Sequence, residues 1–219
     1  MSISDSLKKE WFVPILLVIP FVVSIYLWDQ LPDQVPIHFN IQGEADDWGP
    51  KWINAFLIPG IALTIYIFLL IIPVIDPKRR IVSAQKPVSA IRIFTTLFMI
   101  GIYGFVMAKT LEIDVDLGIY INISVGVLIL IIGNYMNTIK PNYFIGIRTP
   151  WTLENPEVWK KTHRIGSKLW VVGGLIMILN AVFIPVSYSQ IIFYITVALI
   201  ALVPIVLSYI YFKKLETND

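Results

Sequence analysis

The stretch Asn142-Tyr-Phe-Ile-Gly-Ile-Arg-Thr-Pro-Trp-Thr-Leu-Glu-Asn-Pro-Glu-Val-Trp-Lys-Lys-Thr-His-Arg-Ile-Gly-Ser-Lys-Leu169 concentrates aromatic, basic, His and turn residues between long apolar runs. It begins as a turn-rich loop. Lys140-Pro141-Asn142 closes the preceding run, Gly146 suits a sharp turn, and Pro150 biases Thr149 away from helix. Asn155-Pro156-Glu157 then reads as a helix start, with Asn as N-cap, Pro at the first position and an acid in the first turn. In that helix Val158, Thr162, Ile165 and Leu169 fall on one narrow apolar face. Lys160, Lys161, Arg164 and Lys168 occupy the opposite side, with Trp159, His163, Gly166 and Trp170 on the flank between. This pattern predicts a basic amphipathic helix lying at the membrane interface before the chain turns into the bilayer at Leu169.

On either side the sequence is apolar. Hydrophobic residues make up 57% of the 219 and charged residues only 15%, against about 25% in a soluble domain. The first run, Trp11 to Trp28, is too long for a signal-peptide core and has no small-residue cleavage site after it. It is expected to be a retained span, kinked or strained by Pro14 and Pro20. Five more spans are expected at Trp52–Ile75, Ile91–Ala108, Leu117–Met136, Leu169–Val186 and Ile191–Phe212, each near the ~20 residues that cross ~30 Å of hydrocarbon. The expected fold is therefore all-α, with six transmembrane helices in a single membrane domain over residues 1–219. Residues 11–75 hold the first two spans with a loop at 29–51, and residues 117–212 hold the last three with a loop at 137–168.

Lysine and arginine placement sets the expected orientation. Basic residues crowd the N-terminal tail (Lys8, Lys9), the loop after span two (Lys78, Arg79, Arg80, Lys86), the loop after span four and the C-terminus (Lys213, Lys214). The intervening segments carry only Lys51 and Lys109, or none in the tight Ser187-Tyr-Ser-Gln190 turn. The alternation puts both termini on the cytoplasmic side. Asp76-Pro-Lys-Arg-Arg80 reads as a basic turn that fixes topology and attracts anionic lipid.

On the outer side, Val35 to Ile41 reads as a short extended segment, with Ile37, Phe39 and Ile41 on one face and His38 and Asn40 on the other. Asp46-Asp47-Trp48-Gly49-Pro50 reads as turn chemistry. Trp48 and Trp52 suit the headgroup layer. His38, Glu44, Asp46 and Asp47 are candidate metal ligands by type, but one His with scattered carboxylates lacks a recognised ligand spacing, so no metal or cofactor is expected. The chain has no cysteine, which excludes disulfides and thiolate chemistry. A net charge of +2 is too small to imply nucleic acid.

Within the spans the polar residues noted are Asn122, Ser124, Asn134 and Asn180, and no acid sits at a span centre. That counts against an ion-driven carrier. Glycines 101, 104, 118, 126, 133, 173 and 174 suit close helix packing. For the 142–169 stretch three readings compete. An enzyme would use His163 as base with Arg148 or Glu157 assisting, but no nucleophile pairing or metal triad accompanies it. An interfacial anchor explains the basic face. A docking surface for a cytoplasmic protein also explains Arg148, Thr149, Trp151 and His163, since Trp and Arg are frequent interface anchors.

The stretch resembles the SdpI family. The residues carrying the resemblance are Gly133-Asn134, Asn142, Ile145-Gly-Ile-Arg-Thr-Pro-Trp-Thr-Leu153, Val158-Trp159, His163-Arg164 and Lys168. Leu31-Pro, Val35-Pro-Ile-His-Phe-Asn40 and Gly43 resemble an uncharacterised domain often found N-terminal in the same family. The resemblance implies a six-span bacterial membrane protein, not an enzyme, that gives immunity to a secreted killing peptide. It also implies that the protein holds a cytoplasmic transcriptional repressor at the membrane once toxin is bound. On these residues, Pro36, His38, Phe39, Asn40, Gly43 and Trp48 become the expected toxin-facing set. Asn142, Gly146, Arg148, Thr149, Pro150, Trp151, Trp159, His163, Arg164 and Lys168 become the expected partner-binding set. The alternative is a small peptide or lipid transporter.

Overall fold

The computed structural model describes residues 3–40, 44–77 and 85–217. Ile41, Gly43, Lys78, Arg79 and Arg80 lie outside them. The chain is mostly helical. In order it forms α1 (Ile3–Lys9), α2 (Phe12–Leu27), strands β1 (Gln34–Phe39) and β2 (Ala45–Pro50), a π-helical turn (Ile53–Leu57) running into α3 (Ile58–Ile75), α4 (Gln85–Thr110), α5 (Leu117–Met136), the short α6 (Pro150–Glu154), α7 (Pro156–Phe183) and α8 (Val186–Glu216). Among the described residues five helices are long and apolar enough to cross a membrane, or six if the bent α1–α2 pair forms one span.

The first span differs from expectation. Its bend lies at Glu10–Trp11, where α1 and α2 meet at 74°. Pro14 does not kink the helix, because it sits in the first turn, where the backbone N–H has no helical acceptor. The bend follows from Glu10, which is 1% exposed and accepts from Arg92 Nε of α4 at 2.7 Å and from the Ser89 hydroxyl. Drawing that carboxylate inward turns the chain. A charge buried this deeply persists only when paired and hydrogen-bonded.

Three helix prolines explain how neighbouring helices are tied. Proline supplies no backbone N–H, so the carbonyl four residues earlier loses its helical donor, and in a bilayer no water replaces it. Pro59 deprives the Ala55 carbonyl, which accepts from Ser24 Oγ of α2 at 2.6 Å. Pro73 deprives the Leu69 carbonyl, which accepts from Arg92 Nη1 of α4 at 3.2 Å. Pro204 deprives the Ile200 carbonyl, which accepts from Trp170 Nε1 of α7 at 3.0 Å.

Glycines set the approach of α5 to α7. A Cβ on Gly126 would lie 2.9 Å from the Gly174 carbonyl oxygen, and one on Gly174 would lie 2.5 Å from that of Gly126. A Cβ on Gly133 would meet Trp170 Cβ at 2.7 Å. Small residues here let the two backbones touch. Nearby, Ser167 Oγ donates to the Gly133 carbonyl at 2.7 Å.

The mostly helical fold carries one small sheet, and it corrects the turn expected at Asp46–Pro50. β1 and β2 form an antiparallel hairpin, so Asp46–Pro50 is strand and not turn. Asp, Gly and Pro are poor strand formers, which hid it, but a two-stranded hairpin has only edges and tolerates them. Its register shifts around His38. Val35 is fully buried, and Asn54 of the π-helical turn donates to the Pro36 carbonyl at 2.9 Å and to Thr110 Oγ1 at 3.1 Å. The hairpin is thereby pinned to α4.

Two further boundaries are corrected. No turn into the bilayer occurs at Leu169, since α7 is one continuous 28-residue helix. The link between the last two spans is Ile184–Pro185, and residues 187–190 are already helical.

Trp170→Phe is expected to cost about 1–3 kcal/mol, the penalty for an orphaned buried acceptor, measured as thermal unfolding in detergent. Adding Pro204→Ala should recover most of that loss by restoring a backbone donor to Ile200. An equal effect of Pro204→Ala with and without Trp170 would contradict the assignment.

Candidate functional site

The loop between α5 and α7 folds back onto the first turns of α7, and its shape comes from a few polar side chains. Asn142 is the template. Its Oδ1 accepts from the Phe144 and Ile145 N–H groups at 2.8 and 2.7 Å, and its Nδ2 donates to the Lys140 and Ile145 carbonyls at 2.9 Å each. All of the side chain's usual bonding capacity is thus spent on the turn. Gly146 follows at φ +119°, in the left-handed region that favours glycine. It also has no room for a side chain, because a Cβ would lie 2.5 Å from His163 Nε2 and 3.1 Å from the Trp159 ring.

His163 receives the loop. The Ile147 N–H donates to its Nε2 at 3.0 Å. The imidazole proton therefore sits on Nδ1, which donates to the Trp159 carbonyl at 2.9 Å. The ring stacks on Trp159 at 4.0 Å and is 1% exposed. With both nitrogens engaged and the ring enclosed, His163 offers no free base. Trp159 is equally enclosed, its Nε1 donating to the Ile139 carbonyl at 2.8 Å.

The loop leaves His163 through a second built corner. Thr149 caps α6 in a capping box with Thr152, whose hydroxyl also donates to the Ile147 carbonyl at 2.8 Å. Thr149 Oγ1 lies 2.9 Å from Ser208 Oγ of α8, and Trp151 packs on Tyr209 with ring centroids 5.1 Å apart. Asn155 caps α7 as the sequence predicts, accepting from the Glu157 and Val158 N–H groups.

The expected partner-binding set thus divides. Asn142, Thr149, Trp159 and His163 are buried, and Trp151 is half-buried. Gly146, Arg148, Pro150, Arg164 and Lys168 are exposed. Arg148 donates through Nη1 to the Tyr143 carbonyl. The flank of α7 carrying Trp159, His163 and Gly166 is therefore among its most buried parts, because the 142–149 loop covers it. Thr152 and Ser208 were missed as site residues. The Thr149-x-x-Thr152 spacing signals the former, whereas Ser208 is 59 residues from its partner and carries no local signal.

At the opposite end of the bundle stand the hairpin residues. His38 is exposed and pairs with Asp46 at 2.6 Å. Among the described residues no group of three or more His, Asp or Glu is placed to hold a metal. Pro36, Phe39 and Asn40 are half-buried, and Trp48 is exposed. Phe39 packs edge-on against Phe105 of α4 (5.8 Å), which stacks on Tyr120 of α5 (4.7 Å). Below them Asn180 Nδ2 donates to Asn122 Oδ1 at 2.7 Å, joining α7 to α5.

The fold is that of a multi-pass helical membrane protein carrying a small hairpin at one end and a folded polar loop at the other. Residues 138–208 match the SdpI/YfhL protein family, and residues 15–63 match a domain of unknown function, DUF1648. The chain is 29% identical over 210 residues to Immunity protein SdpI of Bacillus subtilis (strain 168), spanning 96% of this chain and 99% of that protein. In these respects the chain is similar to the SdpI family. No solved structure matches it.

Gly146→Ala should destabilise the protein by about 2 kcal/mol or more, since it combines backbone strain with overlap of a buried ring. Arg148→Ala should stay within about 0.5 kcal/mol of the parent. Thermal unfolding of the two variants side by side checks the division between buried scaffold and exposed surface. Equal stability of both would contradict it.

Proposed function

We propose that this chain is an immunity protein of the cell membrane. It protects its host from a secreted killing peptide met at the hairpin end, and its loop end recruits a cytoplasmic transcriptional repressor when toxin is bound. The observation that carries the reading is the similarity to Immunity protein SdpI along nearly the whole of both chains. Charge placement supports the orientation. Lys140, Arg148, Lys160, Lys161, Arg164 and Lys168 lie at the loop end, while Asp33, Glu44, Asp46, Asp47, Glu112, Asp114 and Asp116 lie at the hairpin end. The positive-inside rule then places the loop end and both termini in the cytoplasm.

Recruitment at the loop end falls to the exposed Arg148, Pro150, Arg164 and Lys168 with the half-buried Trp151. Asn142, Gly146, Thr149, Trp159 and His163 hold that surface in shape. Coupling between the ends requires that toxin bind one bundle arrangement more tightly than another.

The reading is tested by survival of a toxin-sensitive bacterium, with and without this protein, across a titration of purified killing peptide. Protection is expected, and unchanged survival with the protein confirmed in the membrane would contradict it. Arg148→Ala combined with Trp151→Ala is expected to abolish repressor recruitment while protection and membrane levels persist. Loss of protection together with recruitment would instead assign both residues to the scaffold.

A further inference from the structure

A cavity of about 160 Å³ opens at the hairpin end, where β1 meets α5 and α8. Phe39, Leu117, Ile121, Phe193 and Tyr194 supply most of its wall, with Asn122 among the polar lining. It lies at the junction of three separate parts of the chain, a usual place for a ligand site. A cavity of roughly 150 Å³ takes one benzene-sized ring.

The polar residue in the wall does not ask for a polar occupant. Asn122 Nδ2 donates to the Gly118 carbonyl at 2.9 Å and to Ser189 Oγ at 3.3 Å, and its Oδ1 accepts from Asn180. Both of its N–H groups are used within the protein, so an apolar occupant strands no donor there. The rim is different. Asn40, which lines the cavity, is bonded to the exposed Glu44 through Nδ2 at 3.2 Å. Exposed Asp116 immediately precedes the lining residue Leu117 and caps α5 through the Ile119 N–H at 2.8 Å. An apolar pocket flanked by two carboxylates is complementary to an apolar side chain set among cationic neighbours.

We propose that this cleft is the peptide-recognition site, taking one aromatic or large aliphatic side chain of a cationic secreted peptide while Glu44 and Asp116 attract the flanking charges. The proposal rests on the immunity reading for the identity of the peptide. It adds Phe193 and Tyr194 from the family-matched segment, and Leu117 and Ile121 of α5, to a surface otherwise sought in the hairpin alone. Phe39 belongs to both. Its ring is set by the Phe105 and Tyr120 stack, so occupancy is felt by α4 and α5 together.

The chain's lack of cysteine allows the cleft to be plugged after folding. Gln190 also lines the cleft, and Gln190→Cys protein in zwitterionic nanodiscs would be titrated with fluorescently labelled, purified killing peptide before and after reaction with a bulky maleimide. Saturable binding is expected before reaction and binding about tenfold or more weaker after it, as for loss of an anchor side chain. The same label at Val127→Cys, in the separate groove between α4 and α5, should leave binding unchanged. Glu44→Gln with Asp116→Asn, which keeps an N-cap, should weaken binding at low salt and flatten its salt dependence. Absence of saturable binding, or equal binding after plugging, would overturn the proposal; the latter is the result if lipid is the occupant. Cells protected by a protein whose binding ignores the plug would retain the immunity reading and lose the cleft. Binding that the plug abolishes, in a protein that protects no cell, would do the reverse.

Discussion

A proline in a membrane-spanning helix removes a backbone donor where no water can replace it, and three of this bundle's cross-helix ties follow from that constraint. The freed carbonyls of Ala55, Leu69 and Ile200 each take a side-chain donor from another helix, namely Ser24, Arg92 and Trp170. These ties join α2, α3 and α4 in one half and α7 and α8 in the other. Without an aqueous hydrophobic effect between helices, such bonds and close backbone packing are what select one arrangement. Arg92 serves twice, since the same guanidinium holds Glu10 and thereby the bent entry of the chain.

The α5–α7 contact supplies the second half of the architecture. Gly126 and Gly174 bring the backbones together, and the connection between these helices then folds over the end of α7. Its turns are fixed by local polar templates at Asn142, Thr149 and Asn155, and its position by long-range bonds from Ile147 to His163 and between Thr149 and Ser208. Rigid loops of this kind are suited to presenting a few exposed side chains at fixed geometry. Arg148 and Pro150 are presented in this way, while the aromatic and imidazole rings beneath them are consumed in holding the loop.

What the sequence made legible was whatever depended on local pattern. Leu117–Met136 is helical over the expected residues, and the Asn155-Pro156 start of α7 is where cap chemistry places it. Hairpin strand β2 was hidden because Asp46-Asp47-Trp48-Gly49-Pro50 has the composition of a turn, and only pairing with β1 makes it a strand. The basic face of α7 resembled an interfacial helix, yet the buried stripe through Thr162, Gly166, Gly173 and Met177 continues straight along it. Burial of Trp159 and His163 depends on a loop arriving from α5, and the Thr149–Ser208 contact joins residues 59 apart. Neither leaves a periodic trace. The cleft beside Phe39 was equally out of reach, since its walls come from three separate parts of the chain.

The Ile145–Leu153 run is a scaffold hung on His163 that presents Arg148 and Pro150 outward. The chain has two histidines, so a ¹⁵N spectrum of imidazole-labelled protein is assigned by one His38→Gln variant. The account predicts that His163 at neutral pH is the Nδ1–H tautomer, with Nε2 showing the shift of a hydrogen-bond acceptor, and that deletion of the 142–149 loop removes that signature. A protonated Nε2, or a rapidly averaged solvent-exposed imidazole, would contradict it.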